Sequence, residues 1–262
     1  MIELPTQKTE VKPFNPSFVV LYGKPKQGKS TIMASLESNL IIDLENGYKG
    51  LSALIINADK ASKILEIQQA IKEKYKTDGK KPYRFITIDN ATRLEELAIP
   101  YAARIYQNTP MGKNFDLSKD VRNLPNGSGY LYIRQAIENL ILPFKPLCDS
   151  LILVGHAKST QVNKRGETLD EMSFDLVGKS SQIIQGMADA VGYIYRDKEV
   201  KEEKDENGKD ISVTYDTTYI SFEAENNTIN ESRCPHLRGK KIPVIVTKNN
   251  QTTIDTSKLF ID

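Results

Sequence analysis

The clearest chemical pattern in the chain is Gly23-Lys24-Pro25-Lys26-Gln27-Gly28-Lys29-Ser30, followed by Thr31. Its spacing is G-x-x-x-x-G-K-[ST], with an apolar strand before it and a helical pattern after it. Glycines at both ends let the backbone wrap a phosphate with its N–H groups pointing inward, and the start of the next helix adds partial positive charge. Lys29 would neutralise the β- and γ-phosphates of a nucleotide, and the Ser30 hydroxyl would ligate Mg²⁺. A second metal-holding oxygen should end another apolar strand. The run Arg84-Phe85-Ile86-Thr87-Ile88-Asp89 places the Asp89 carboxylate there. A nucleotide hydrolase also needs a group that activates or orients water. The residue after Asp89 is Asn90, so the Glu that typical AAA+ ATPases carry at that point is absent. Another acid pair, Asp43-Leu44-Glu45, ends the short strand that follows the loop's helix.

These residues need strands to end beside one another. Short apolar segments at 18–22, 40–43, 85–89, 151–155 and 191–195 are too brief and too continuously apolar for amphipathic helices, and they read as central strands. Helical patterns lie between them. Ile64, Ile67, Ile71 and Tyr75 recur at three- and four-residue spacing, with Asp59 as the expected N-cap and Asp78-Gly79 as the stop. Leu94, Leu97, Tyr101 and Ile105 repeat the pattern, with Pro100 expected to kink it. Ile133, Ile137 and Leu140 repeat it until Pro143. The alternation predicts an α/β fold with a mainly parallel central sheet, helices on both faces and a C-terminal β-hairpin extension. One domain over 1–262 is expected, with an N-terminal arm at 1–15 and C-terminal strands over 197–262. Residues 108–129, with Pro110, Gly112, Pro125, Gly127 and Gly129, read as a long mobile loop. Asn207-Gly208 signals a hairpin turn in the charged run 198–210, before β-rich 211–222 and a last strand at 242–247.

Composition narrows the function. Of 262 residues, 39% are hydrophobic and 27% charged, enough for an ordinary buried core. Lys and Arg number 36 against 34 acids, a net charge of +2, so any nucleic-acid or membrane contact must be a local patch. No apolar run approaches the roughly 20 residues of a membrane span, and the first residues lack a signal-peptide pattern. Two cysteines, Cys148 and Cys234, without CxxC spacing suggest a reducing interior. A soluble cytoplasmic protein is expected.

The ordered set Gly23 to Thr31, Asp43 to Gly47, Ile88-Asp89 and Leu153-Val154-Gly155-His156 resembles phage-encoded RecA-like P-loop ATPases of the single-strand annealing and recombination family, over residues 16–196. The resemblance implies a RecA-like fold in which the strand carrying the sensor lies between the P-loop strand and the Asp89 strand. It implies Glu45 as general base and His156 as a polar sensor of the γ-phosphate. It also implies a basic residue from a neighbouring subunit acting across the interface. Lys248, after the strand at 242–247, is the candidate finger, with Arg233 and Arg238 as rivals. DNA contacts would come from loops beyond the sensor strand, where Lys158, Lys164 and Arg165 precede Gly166 and where Lys179 follows Gly178.

An Mg²⁺-dependent ATPase acting on single-stranded DNA in phage recombination or replication is the expectation from this set. It would be a homo-oligomer with ATP at the subunit interface, with a single-strand-binding protein as a further partner. Two other classes use the same loop. A small-molecule or nucleotide kinase would usually carry an Arg-rich lid, and 108–129 holds only Lys113, Lys119 and Arg122. A nucleotide-gated assembly protein would hydrolyse ATP slowly.

Overall fold

The structure is a computed structural model that describes residues 12–164, 167–176, 179–204, 208–224 and 228–261, with residues 4, 6 and 10 of the N-terminal arm. Its strands are Phe18–Gly23 (β1), Asn39–Asp43 (β2), Leu54–Asn57 (β3), Phe85–Asp89 (β4), Ser150–Lys164 (β5), Glu167–Phe174 (β6), Ala190–Lys204 (β7), Asp210–Ser221 (β8), Glu231–Ser232 (β9), Lys241–Lys248 (β10) and Gln251–Ile254 (β11). Its helices are Lys29–Ser35 (α1), Ala61–Asp78 (α2), Ala91–Gln107 (α3), Gly129–Ile141 (α4) and Ser180–Met187 (α5).

The sheet runs β11-β10-β8-β7-β1-β5-β4-β2-β3. From β7 to β3 every neighbouring pair is parallel, while β8, β10 and β11 continue the sheet antiparallel. This is a mixed α/β fold with a large parallel core, the architecture of P-loop nucleotide-binding proteins. β5 lies between β1 and β4, as the resemblance implies for the sensor strand. Register brings the carboxyl ends together: Gly23 opposite His156 and Ile194, and Asp43 opposite Asp89. A site at that edge draws on several strands at once.

Alternation along β1 divides the core. Phe18, Val20 and Tyr22 face one buried cluster with Ile64, Ile67 and Ile71 of α2, Leu94 of α3 and Ile137 of α4. Val19 and Leu21 face the other, with Ile32 and Met33 of α1. Burying each such side chain is worth about 1.5–3 kcal/mol. The second face differs from the expected helical layer: besides α1 it is closed by Cys234, Leu237 and Leu259 of the C-terminal segment.

Several expectations need correction. The segment 108–129 is a packed run of turns with 3₁₀ helices at Val121–Asn123 and Pro125–Gly127. Val121 is fully buried, Phe115 packs edge-on against Tyr106, and Gln107 donates to the Phe115 carbonyl. Its prolines and glycines set turn geometry. Beyond His156 the described residues are strand where a polar loop is expected, because β5 continues to Lys164 and pairs antiparallel with β6. Thr160, Val162 and Thr168 are β-branched residues suited to such a ladder. In the same way the charged run after residue 195 is strand as far as Lys204, paired with β8. Gly208 takes a positive φ at that hairpin, and Asn207 lies outside the described residues. α2 starts after Lys60 without a side-chain cap, so Asp59 does not cap it. α3 is continuous through Pro100. The four-residue, mainly apolar edge strand β3 adds to the strands expected from the sequence.

Candidate active site

β1 ends at Gly23, where a Cβ would fall 2.4 Å from the Ile194 carbonyl oxygen, so only glycine lets β1 and β7 close up here. The loop then turns through Lys26 and Gly28, both at positive φ, and Gly28 opens α1 with its carbonyl accepting from the Ile32 amide at 3.0 Å. A side chain on Gly28 would also press on Ile245 of β10, 2.9 Å away. Lys29 is buried, and its Nζ donates to the carbonyls of Gly23 at 3.0 Å and Lys24 at 2.9 Å. Burial pushes the Lys29 amine below its ordinary range, against the opposing pull of Asp89 and Glu45. The wrapped loop and its lysine therefore form one hydrogen-bonded unit. Within it, Pro25, Lys26 and Thr31 line the cavity, while Gln27 keeps its Oε1 buried without a partner.

That cavity, about 580 Å³, lies over the carboxyl ends of the parallel strands. Ser30 Oγ stands 3.5 Å from Asp89 Oδ2, and the same oxygen accepts from the Tyr48 hydroxyl at 2.6 Å. Burial is the largest influence on Asp89 and raises its carboxyl above the usual range. The Tyr48 hydrogen bond and the Lys29 charge pull it back, while Asp43 and Glu45 add to the rise. Burial, with the Asp89 charge behind it, also drives the Tyr48 phenol far upward.

The two acids of Asp43-Leu44-Glu45 do different things. Asp43 is buried and accepts from the backbone amides of Glu45 at 3.0 Å and Tyr48 at 3.3 Å. It folds the turn that carries them, with Asn46 at positive φ. Glu45 is exposed and lines the cavity. Asn90, opposite, accepts from the Arg93 amide at 2.9 Å and so caps α3. Its Nδ2 then faces His156 Nε2 at 3.1 Å. Because the amide nitrogen can only donate, Nε2 accepts and the imidazole proton sits on Nδ1, which is buried without a partner.

The structure thus gathers Lys29, Ser30, Glu45, Asp89 and His156 around one space. Lys248 is elsewhere. Thr247 lines the cavity, so its neighbour Lys248 points from the opposite face of the sheet. There it pairs with Glu203 at 2.7 Å and lies over the Tyr215 ring. Its rivals are farther still. Arg233 donates to the Gly186 carbonyl and Arg238 to that of Ser232, beside a separate cavity at the amino end of β7. Lys158 is tied to the Leu176 carbonyl at 2.8 Å, with Asp175 at 3.7 Å. Lys179 is exposed just before α5. The Lys164 side chain and Arg165 lie outside the described residues.

Sequence reasoning missed Tyr48, the capping role of Asn90, and Arg196, which lines the cavity from β7. An Asn directly before a helical pattern was a legible N-cap signal for the second. Nothing in the spacing marked the other two.

Loop, strand order and convergent polar groups define the class: a P-loop nucleotide-binding domain. The model of the AAA domain family matches residues 15–234, and the chain belongs to that family. That membership makes it an ATPase-type domain even though Asn90 stands directly after Asp89. No curated protein matches the chain. Among the described residues no helix is long and apolar enough to cross a membrane.

Proposed function

We propose that the protein is a RecA-like ATPase that hydrolyses ATP with Mg²⁺ and acts on single-stranded DNA in phage recombination or replication. The observation that carries the ATPase reading is the convergence of Lys29, Ser30, Asp89 and Glu45 on one cavity. Lys29 is the charge for the β- and γ-phosphates. Ser30 and Asp89 offer neighbouring hard oxygens, the donor type Mg²⁺ takes. When bound, Mg²⁺ supplies positive charge that offsets the charge developing on the transferring phosphate. Glu45, exposed at the cavity wall, takes the proton of the attacking water, and the Asn90–His156 pair fixes the wall beside it.

The DNA reading is supported by the resemblance and by exposed Lys179. Lys248 projects away from its own cavity, so it would reach a nucleotide only from a neighbouring copy, in keeping with an oligomer that binds ATP between subunits. The test is ATP turnover measured with and without single-stranded DNA. Lys29→Ala should abolish nucleotide binding. Glu45→Gln should bind ATP normally and turn over about 10²-fold slower or worse. Normal hydrolysis by Glu45→Gln would refute the base assignment, and turnover indifferent to DNA would refute the DNA-dependent reading.

A further inference from the structure

We propose that Arg196 is the arginine that contacts the γ-phosphate of the bound nucleotide, and that it is supplied by the same chain. This rests on the ATPase reading above. Three observations place the residue. Gly23 closes onto Ile194, so β7 passes the first residue of the loop and brings Arg196 two residues later on the same face. Thr218 stands directly opposite Arg196 across the β7–β8 ladder, and its Oγ1 lies 3.7 Å from where a Gly28 Cβ would be. Cross-strand neighbours sit about 5 Å apart, well within the reach of an arginine side chain. Finally, Arg196 is the one arginine among the described residues lining this cavity.

The guanidinium is held but not used up. Asp216 accepts from Nε and, at 2.6 Å, from Nη2. The Arg196 side chain remains 46% exposed while the Asp216 side chain is 14% exposed, so the acid is the anchored partner and the cation faces the opening. The arginine half of the pair is open to solvent, and Lys198, 3.9 Å from Asp216, still faces the acid when the guanidinium turns away. A triphosphate can share the guanidinium or draw it away, because phosphate oxygens match its planar fork as a carboxylate does. The proposed contact would discriminate between nucleotides. An arginine at the γ-phosphate strengthens binding of a triphosphate and leaves a diphosphate unaffected, and it counters charge that grows in the transition state.

The experiment uses the full chain with Mg²⁺ and compares ATPγS with ADP by calorimetry, alongside ATP turnover. Arg196→Ala should weaken ATPγS about tenfold or more, change ADP affinity less than twofold, and lower kcat about 10³-fold. Arg196→Lys should fall between, since lysine keeps the charge and loses the fork. Lys198, 3.9 Å from the same Asp216, is the rival cation, and Lys198→Ala should keep the wild-type preference for ATPγS. Unchanged preference and turnover in Arg196→Ala, or their loss in Lys198→Ala, overturns the assignment. Wild-type protein that binds neither nucleotide overturns the ATPase reading beneath it, a result distinct from a defect confined to the Arg196 variants.

Discussion

Replacing Tyr48 with Phe deletes one hydroxyl and keeps the buried ring, so it removes the hydrogen bond at 2.6 Å to Asp89 Oδ2 together with the hydroxyl's contact to Ser30. A hydrogen bond to a charged group contributes about 1.5–3 kcal/mol. For a chain of 262 residues, about 2 °C of melting temperature per kcal/mol turns that into a fall of roughly 3–6 °C. The loss must also depend on pH. Burial holds the Asp89 carboxyl above its unfolded range, and the Tyr48 donation is the largest effect opposing that rise. A carboxyl raised on folding supports stability fully below its unfolded pKa of about 3.9, and that support is lost as pH climbs through the folded value. Without the hydroxyl the folded value climbs further, so the lost stability grows over a wider pH span. The Tyr48→Phe penalty should therefore grow as pH rises from 5 to 8. Urea unfolding of nucleotide-free protein followed by circular dichroism from pH 5 to pH 8 measures this. A penalty equal at every pH, or below about 0.5 kcal/mol at pH 8, would refute the reasoning.

Asp89→Asn removes the buried charge itself. It should raise the unfolding free energy of the nucleotide-free protein at pH 8 by about 1–2 kcal/mol, the size of gain a single stabilising change commonly gives, and flatten the pH dependence of stability. It should also weaken Mg²⁺-nucleotide binding about tenfold or more, measured by titration calorimetry. If single-stranded DNA is bound through the basic residues at and beyond the end of β5, neutralising Lys164, Arg165 and Lys179 together should reduce the log–log salt slope by about two, at about 0.7 per contact. An unchanged slope removes them from the DNA surface.

The central strands were legible because continuous burial leaves a continuous apolar run, as in β4 and β1. Helices α2, α3 and α4 were legible from their spacing, which is the imprint of one buried face. What escaped depends on pairing between distant segments. The outer parts of β5 and β7 are polar and partly exposed, so no local pattern distinguishes them from loop; their partners β6 and β8 make them strand. β3 differs, since Leu54-Ile55-Ile56 is an apolar run of only three residues before Asn57, too short on its own to mark a strand until it pairs with β2. Residues 108–129 show the converse. Turn-forming residues suggest mobility, yet the contacts that seat Val121 and Phe115 come from α3 and α4.

At the site, residue types were legible and their division of labour was not. Asp43 and Glu45 are both acids two residues apart, yet one is buried against two amides and the other is open to the cavity. The difference arises because Asp43 is the last residue of a buried strand, so its carboxylate needs nearby donors, and the turn it folds supplies them. That turn also delivers Tyr48 to Asp89, adding a side-chain bond at the end of two strands that are already paired. The loop pays a related cost on its other side, where Lys29 is buried against carbonyls with its amine pushed down. Lys29 and Asp89 are thus each displaced toward neutrality by burial, in opposite directions. A phosphate favours the charged lysine and a divalent cation favours the charged carboxylate. On the proposed function, an anion and a cation binding together would restore both of the charges that this packing weakens in the free protein.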